Sequence, residues 1–237
     1  MKDKIIGVKK MEYSTQELLK IMTDDDRKEN SYVGAIDVYR KLIISYQSAI
    51  DEVETKLKII NRELTGSSIV GRSNMIHQIQ CRVKKFDSLI IKLNRLDCDF
   101  SKESVESHLA DVAGIRVICA YVDDIYMILE SLSHQTDIKI LEVKDYIKQP
   151  KPNGYRSLHV ILEIPVFFFK EKKQIKVEIQ FRTIAMDYWA SLEHGLRYKE
   201  GHVTKDINAR LEKTAITIAQ MEEEMLAIRN EIERLER

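Results

Sequence analysis

Two short rows of polar side chains in this sequence have the types and spacing that chemistry on a charged substrate requires. In "KVEIQFRT", Lys176, Glu178, Gln180 and Arg182 alternate with Val177, Ile179 and Phe181. Successive side chains of a strand face opposite ways, so one face is apolar and the other lines up an ammonium, a carboxylate, an amide and a guanidinium. Upstream, Leu158, Val160 and Leu162 set an apolar parity that leaves Tyr155, Ser157 and His159 on the other face. The intervening "KEKK" suits a hairpin turn, and strands joined so briefly pair antiparallel. Both polar rows then share one sheet face. A solvated outer face accounts for a single such row. A ring and an imidazole beside a carboxylate and a guanidinium exceed what solvation asks for, and read as a binding surface.

Two further segments supply groups of the same kind. "LADVAGIRV" brings Asp111 and Arg116 to the start of another strand. Magnesium on phosphates takes one or two carboxylates plus water, and Asp111 with Glu178 offers that pair, although an aspartate before a glycine-containing turn also serves as a cap. In "KDYIKQPKPNGYRSLH", Lys144 and Lys151 flank a stretch stiffened by Pro150 and Pro152, and Asn153-Gly154 is a turn pair. Lysines bind phosphate as compact charges. A tyrosine face such as that of Tyr155 stacks on a base for roughly 1–3 kcal/mol.

These residues need a scaffold. Apolar residues at steps of three and four predict a helix over Ala35–Leu64, closed by "TGSS", and a second over Met75–Leu96. "SKES" supplies N-cap residues for a short helix reaching toward Ala113. Strands are expected at Ile115–Tyr121, Ile138–Val143, Tyr155–Phe168 and Gln174–Arg182, with a helix, "VDDIYMILESLSH", between the first two. A helix follows Thr183. A last one from Thr204 carries Ile207, Leu211, Ala215, Ile218, Met221, Met225, Ile228, Ile232 and Leu235 in a rhythm close to a heptad. The fold class is α/β or α+β, a mixed sheet of about five strands surrounded by helices. Residues 1–34 read as an arm with a short helix near Thr15–Met22, 35–200 as the main domain, and 201–237 as an oligomerising helix.

Composition narrows the function. The 237 residues, 44% apolar and 32% charged, describe a soluble globular chain. A formal net charge of zero gives no global reason to bind nucleic acid. Locally, Arg72, Arg82, Lys84, Lys85, Lys92 and Arg95 outnumber Asp87, a solvated helix face or a phosphate-facing surface. Three cysteines without a C-x-x-C pair, histidines without zinc spacing, and no signal-peptide core lead to the expectation of a reduced cytoplasmic protein without membrane association.

The segments "GR" at Gly71-Arg72, "DVAGIRV", "GYRSLH" and "VEIQFRT" occur in an order that resembles the synthetase domain of RelA/SpoT-type (p)ppGpp synthetases. "EIQFRT" followed by "AMDYWASLEH" resembles the small, single-domain alarmone synthetases, over about residues 35–200. The resemblance implies a nucleotidyltransferase-like fold and a synthetase without a hydrolase. The activity it implies is transfer of the β,γ-pyrophosphate of ATP to the 3′-hydroxyl of GDP or GTP, making the stringent-response alarmones ppGpp or pppGpp. It assigns adenine stacking to Arg72, and magnesium to Asp111 and Glu178, with Glu178 also the base. It assigns the guanine nucleotide to Lys144, Lys151, Asn153, Tyr155 and His159, extended by Gln180 and Arg182, and matches Glu193-His194 to the "EH" of the small enzymes. Arg82, Lys84 and Arg116 complete the expected ATP-facing set. It also implies a homo-oligomer, a tetramer foremost, with RNA or an alarmone as a potential effector. Asn74 stands where many relatives have lysine two residues after the arginine, and Asp187 where small relatives often have asparagine. Two other readings compete: a toxin-like relative that pyrophosphorylates tRNA 3′ ends, and a nucleotide- or RNA-binding module with weak catalysis.

Overall fold

The computed structural model describes residues 26–66, 74–199 and 205–235. The expected short helix at Thr15–Met22 and the Gly71-Arg72 pair lie outside the described residues. The described chain folds as α1 (Asp26–Gly66), β1 (Ile76–Val83), α2 (Phe86–Asn94), α3 (Lys102–His108), β2 (Ala113–Cys119), α4 (Val122–Ser133), β3 (Lys139–Asp145), β4 (Leu158–Phe167), β5 (Lys172–Thr183), α5 (Ile184–Lys199) and α6 (Lys205–Leu235).

The five strands form one mixed sheet in the order β1-β2-β5-β4-β3. Only β2 and β5 run parallel; the other neighbours are antiparallel. The apolar parity read from the sequence forms the core. Leu158, Val160, Leu162 and Ile164 of β4 and Val177, Ile179 and Phe181 of β5 are all fully buried. Long α1 covers that face with Tyr46, Ala49, Ile50, Val53 and Leu57, an i, i+3, i+4, i+7 stripe. The β4–β5 hairpin closes through Phe168–Glu171, where the Phe168 amide donates to the Glu171 carbonyl at 2.8 Å. Ser101 caps α3, its hydroxyl accepting from the Ser104 amide at 3.0 Å.

Three expectations change. The helix expected over Met75–Leu96 is a strand, β1, followed by the short helix α2. A register shift between Ile76 and Gln78 interrupts the two-residue alternation of β1. Ile76, Ile79 and Val83 are therefore spaced as in a helix while the backbone pairs with β2. The strand expected from Tyr155 begins at Leu158, because residues 146–157 form a loop. Ser157 does not join the polar row: it is buried, and its hydroxyl donates to the Phe181 carbonyl at 2.8 Å.

Candidate active site

Strand register, more than sequence proximity, assembles the polar surface. Cross-strand partners run Gln80–Arg116–Gln180–His159–Lys144, one polar residue from each of the five strands. The neighbouring row runs Arg82–Gly114–Glu178. Gly114 contributes no side chain between an arginine and a carboxylate, and the sheet opens there into a cleft of about 330 Å³. Its walls include Gln80, Arg82, Asp111, Arg116, Glu178 and Gln180.

The two carboxylates are held differently. Asp111, just before β2, lies 2.6 Å from the Lys84 ammonium and 2.8 Å from that of Lys92. Burial pushes its pKa up, but the two ammoniums outweigh burial and hold it below the ordinary aspartate value. Glu178 accepts from the Gln180 amide at 3.0 Å and faces His159 Nδ1 at 3.4 Å. Burial again pushes upward, and the His159 and Gln180 contacts win, so Glu178 is also held below its usual value. Both groups are thus ionised at neutral pH. No cluster of three or more His, Cys, Asp or Glu suited to a metal exists among the described residues. Two ionised carboxylates in one cleft are nevertheless the protein donor set a phosphate-bound magnesium needs.

Beside the cleft, Lys84, Ser88, Lys92 and Arg95 line a second, more open depression. Ser88 was not singled out from the sequence, and Lys92 only as a member of the basic cluster at 72–95. The helix expected over 75–96 already sets Lys84, Ser88 and Lys92 at intervals of four; what it hid is the pairing of β1 with β2, which carries Lys84 to Asp111.

On the β4 side of the cleft stand the 146–157 loop and His159 near the start of β4. The Tyr155 hydroxyl receives a hydrogen bond from Arg182 Nη2 at 3.1 Å and contacts His159 Nε2 at 2.9 Å. The Lys151 ammonium stands 4.9 Å from the Tyr155 ring centre and 4.6 Å from that of Tyr146, a second ring the sequence reading did not single out. Asn153 donates to Glu193 at 3.1 Å and accepts from the Tyr155 amide at 3.2 Å, an Asx turn that fixes the loop. Arg182, with a side chain 7% exposed, binds Asp187 at 2.9 Å, and Arg116 reaches the same oxygen at 3.6 Å. Burial and the neighbouring Arg182 pull the Arg116 pKa down, and Asp187 opposes them. Lys144 differs from its expected place in the loop. It sits at the end of the edge strand β3, exposed, with its ammonium 3.0 Å from Glu142.

Residues 81–203 match the family model described as "Region found in RelA / SpoT proteins". The GTP pyrophosphokinase YwaC of Bacillus subtilis (strain 168) is 40% identical over 196 residues, spanning 82% of this chain and 92% of its own. YjbM, a GTP pyrophosphokinase of the same organism, is 32% identical over 82% of this chain and 90% of its own. The chain belongs to the RelA/SpoT family. Within it, the likeness extends over nearly the full length of small alarmone synthetases. The crystal structure of small alarmone synthetase 2 from Bacillus subtilis superposes with a TM-score of 0.73 at 41% identity, over 81% of this chain and 98% of its own. Small alarmone synthetase 1 from Bacillus subtilis, bound to its product pppGpp, gives 0.72 at 31% identity, over 82% and 97%.

Proposed function

We propose that this protein is a GTP pyrophosphokinase that moves the β,γ-pyrophosphate of ATP to the 3′-oxygen of GDP or GTP. The observation that carries the reading is a single cleft holding two ionised carboxylates, Asp111 and Glu178, between two sets of cations. On one side stand Arg82, Lys84 and Lys92. On the other stand Lys151 and Arg182 around Tyr155. Such a site fits two polyphosphates brought together with their repulsion cancelled.

In the reaction the 3′-oxygen attacks the β-phosphorus, the bond from that phosphorus to the α,β-bridging oxygen breaks, and AMP leaves. Glu178 takes the 3′-hydroxyl proton; His159 and Gln180 hold its oxygens in place. Asp111 and Glu178 would hold magnesium, which neutralises phosphate charge when bound. Lys84 and Lys92, already drawn to Asp111, face the ATP phosphates, with Arg82 beside them. The Arg-x-Lys spacing missing at Arg72 and Asn74 is met at Arg82 and Lys84, which favours Arg82 as the adenine-side arginine. A guanine stacking on Tyr155 displaces the Lys151 ammonium from the ring toward the acceptor's phosphates. The uncovered apolar stripe of α6, Met221, Met225, Ile228 and Ile232, supports association with further copies. No described helix is long and apolar enough to cross a membrane.

The test offers γ-labelled ATP with GDP, GTP or tRNA in separate reactions, with Glu178→Gln alongside. Label on the guanine nucleotide, lost in the variant, is the expected result. Label on tRNA alone would replace the acceptor, and binding without transfer would reduce the protein to a sensing module. Light scattering at micromolar concentration should give several times 27.7 kDa; a monomer would remove the oligomer.

A further inference from the structure

The acceptor loop leans on the C-terminal helix. Gly154 has φ +89°, and a Cβ there would stand 2.5 Å from the Ala215 Cβ and 3.2 Å from the Glu212 Cα. Loop backbone and helix α6 are therefore in direct contact, closer than any side chain at 154 allows. Two residues on, Arg156 Nη1 donates to Glu222 Oε2 at 2.8 Å, with side chains only 15% and 7% exposed. The other Glu222 oxygen, Oε1, is buried with no hydrogen-bond partner among the described residues. The carboxylate is thus desolvated for the arginine alone. Tyr155 itself packs with Leu211 and Ile218 of α6 against Trp189 and Ala215, and Trp189 Nε1 donates to the Leu211 carbonyl at 3.1 Å. Farther along, Arg229 grips both Asp123 oxygens at 3.1 and 2.7 Å and covers the Tyr121 ring at 4.5 Å. Helix α6 is fastened to the domain on both sides of that ion pair.

A buried ion pair is a poor device for stability, because desolvation cancels much of the attraction, but it fixes geometry. Here it brackets Tyr155: Gly154 pressed on α6 before it, Arg156 locked to α6 after it. We propose that Arg156 and Glu222 are positioning residues for the acceptor nucleotide, setting the Tyr155 ring from a helix none of whose residues lines the cleft. Helix α6 is then part of the acceptor site as well as a surface for association. The inference rests on the reading of residues 151–159 as the acceptor site.

The experiment measures KM for ATP and for GDP, and the calorimetric Kd of GDP, in wild type, Glu222→Gln, Arg156→Lys and the reversed pair R156E/E222R. Small misplacements of a substrate-holding group cost about ten- to a hundredfold. The GDP KM and Kd should rise about tenfold or more in both single variants. The ATP KM should move by less than about twofold, since uniform loosening would move both. The reversed pair should recover part of the loss. If GDP parameters stay put in Arg156→Lys and Glu222→Gln, the inference is wrong while the acceptor site stands. Equal rises for ATP and GDP would also overturn it, as general destabilisation. A Glu222→Gln protein that does not fold leaves Arg156→Lys, which keeps the charge, to decide. A wild type that neither binds nor extends GDP or GTP would take down the acceptor reading and this pair's role together; where GTP is the acceptor, the same parameters are read with GTP.

Discussion

Asp187 stands where two guanidiniums compete for one oxygen, and Asp187→Asn tests whether that oxygen's charge matters. Arg182 lies 2.9 Å and Arg116 3.6 Å from Oδ1. At an effective dielectric near 20, each contact is worth about 5 kcal/mol before desolvation. Asparagine keeps an acceptor for the charged Arg182 donor, a hydrogen bond of about 1.5–3 kcal/mol, but no longer offsets repulsion between the arginines. Outright loss of one partner of a buried pair costs about 3–5 kcal/mol. Arg182 is nearly buried, so it feels most of this, while Arg116, 31% exposed, reaches water. The net expectation is a loss of about 2 kcal/mol, with Asp187→Ala costing more. Equilibrium urea unfolding at fixed protein concentration reads it directly. With m of about 1–3 kcal/mol per molar, the midpoint should fall by about 1 M. Because Arg182 also holds the Tyr155 hydroxyl, the GDP KM should rise in parallel. An asparagine variant within about 0.5 kcal/mol of wild type, inside the range of ordinary surface changes, would refute the charge-sharing account.

Asp111 makes stability depend on pH with a definite sign. Its folded pKa lies below the unfolded value, so its pairing with Lys84 and Lys92 contributes fully above about pH 3.9 and is lost as pH falls through the folded value. The melting-temperature gap between wild type and Asp111→Asn should be flat from about pH 5 to 8 and close in more acid solution; a gap that widens with acid contradicts the pairing. Lys92→Met should raise the ATP KM about tenfold, the loss of one charge-assisted contact of about 1.4 kcal/mol, and leave the GDP KM alone. A shift in the GDP KM instead would reassign the α2 depression to the acceptor. Tyr155→Phe removes the hydroxyl that joins Arg182 to His159. A GDP KM raised several-fold with ATP unaffected is expected, and steady-state kinetics with each substrate varied in turn would reveal any other pattern.

The hairpin was legible because its information is local. Alternation in "KVEIQFRT" and "SLHVILEI" fixes which face each side chain takes, and a short turn fixes how the strands meet. Residues carrying a resemblance, Asp111, Glu178, Tyr155 and His159, were legible for the same reason: each lies in a short segment whose order is preserved. Strand β1 was not, because a strand's hydrogen bonds are made with another segment, and the shifted register at Ile76–Gln78 erased the alternation that would have announced it. With β1 read as helix, the approach of Lys84 and Lys92 to Asp111 was invisible.

The sequence by itself determined which residues carry charge, ring or carboxylate, and which parity of each hairpin strand turns inward, since both follow from chemistry and backbone period within a few residues. Only the tertiary structure decided the neighbours. It aligned one polar residue from each of five strands across the sheet, set Gly114 between Arg82 and Glu178, and brought Glu222 of α6 to Arg156. Those contacts join segments far apart in the chain, and their geometry follows from strand register and helix docking, which are settled by burying the common core rather than by any one segment's pattern.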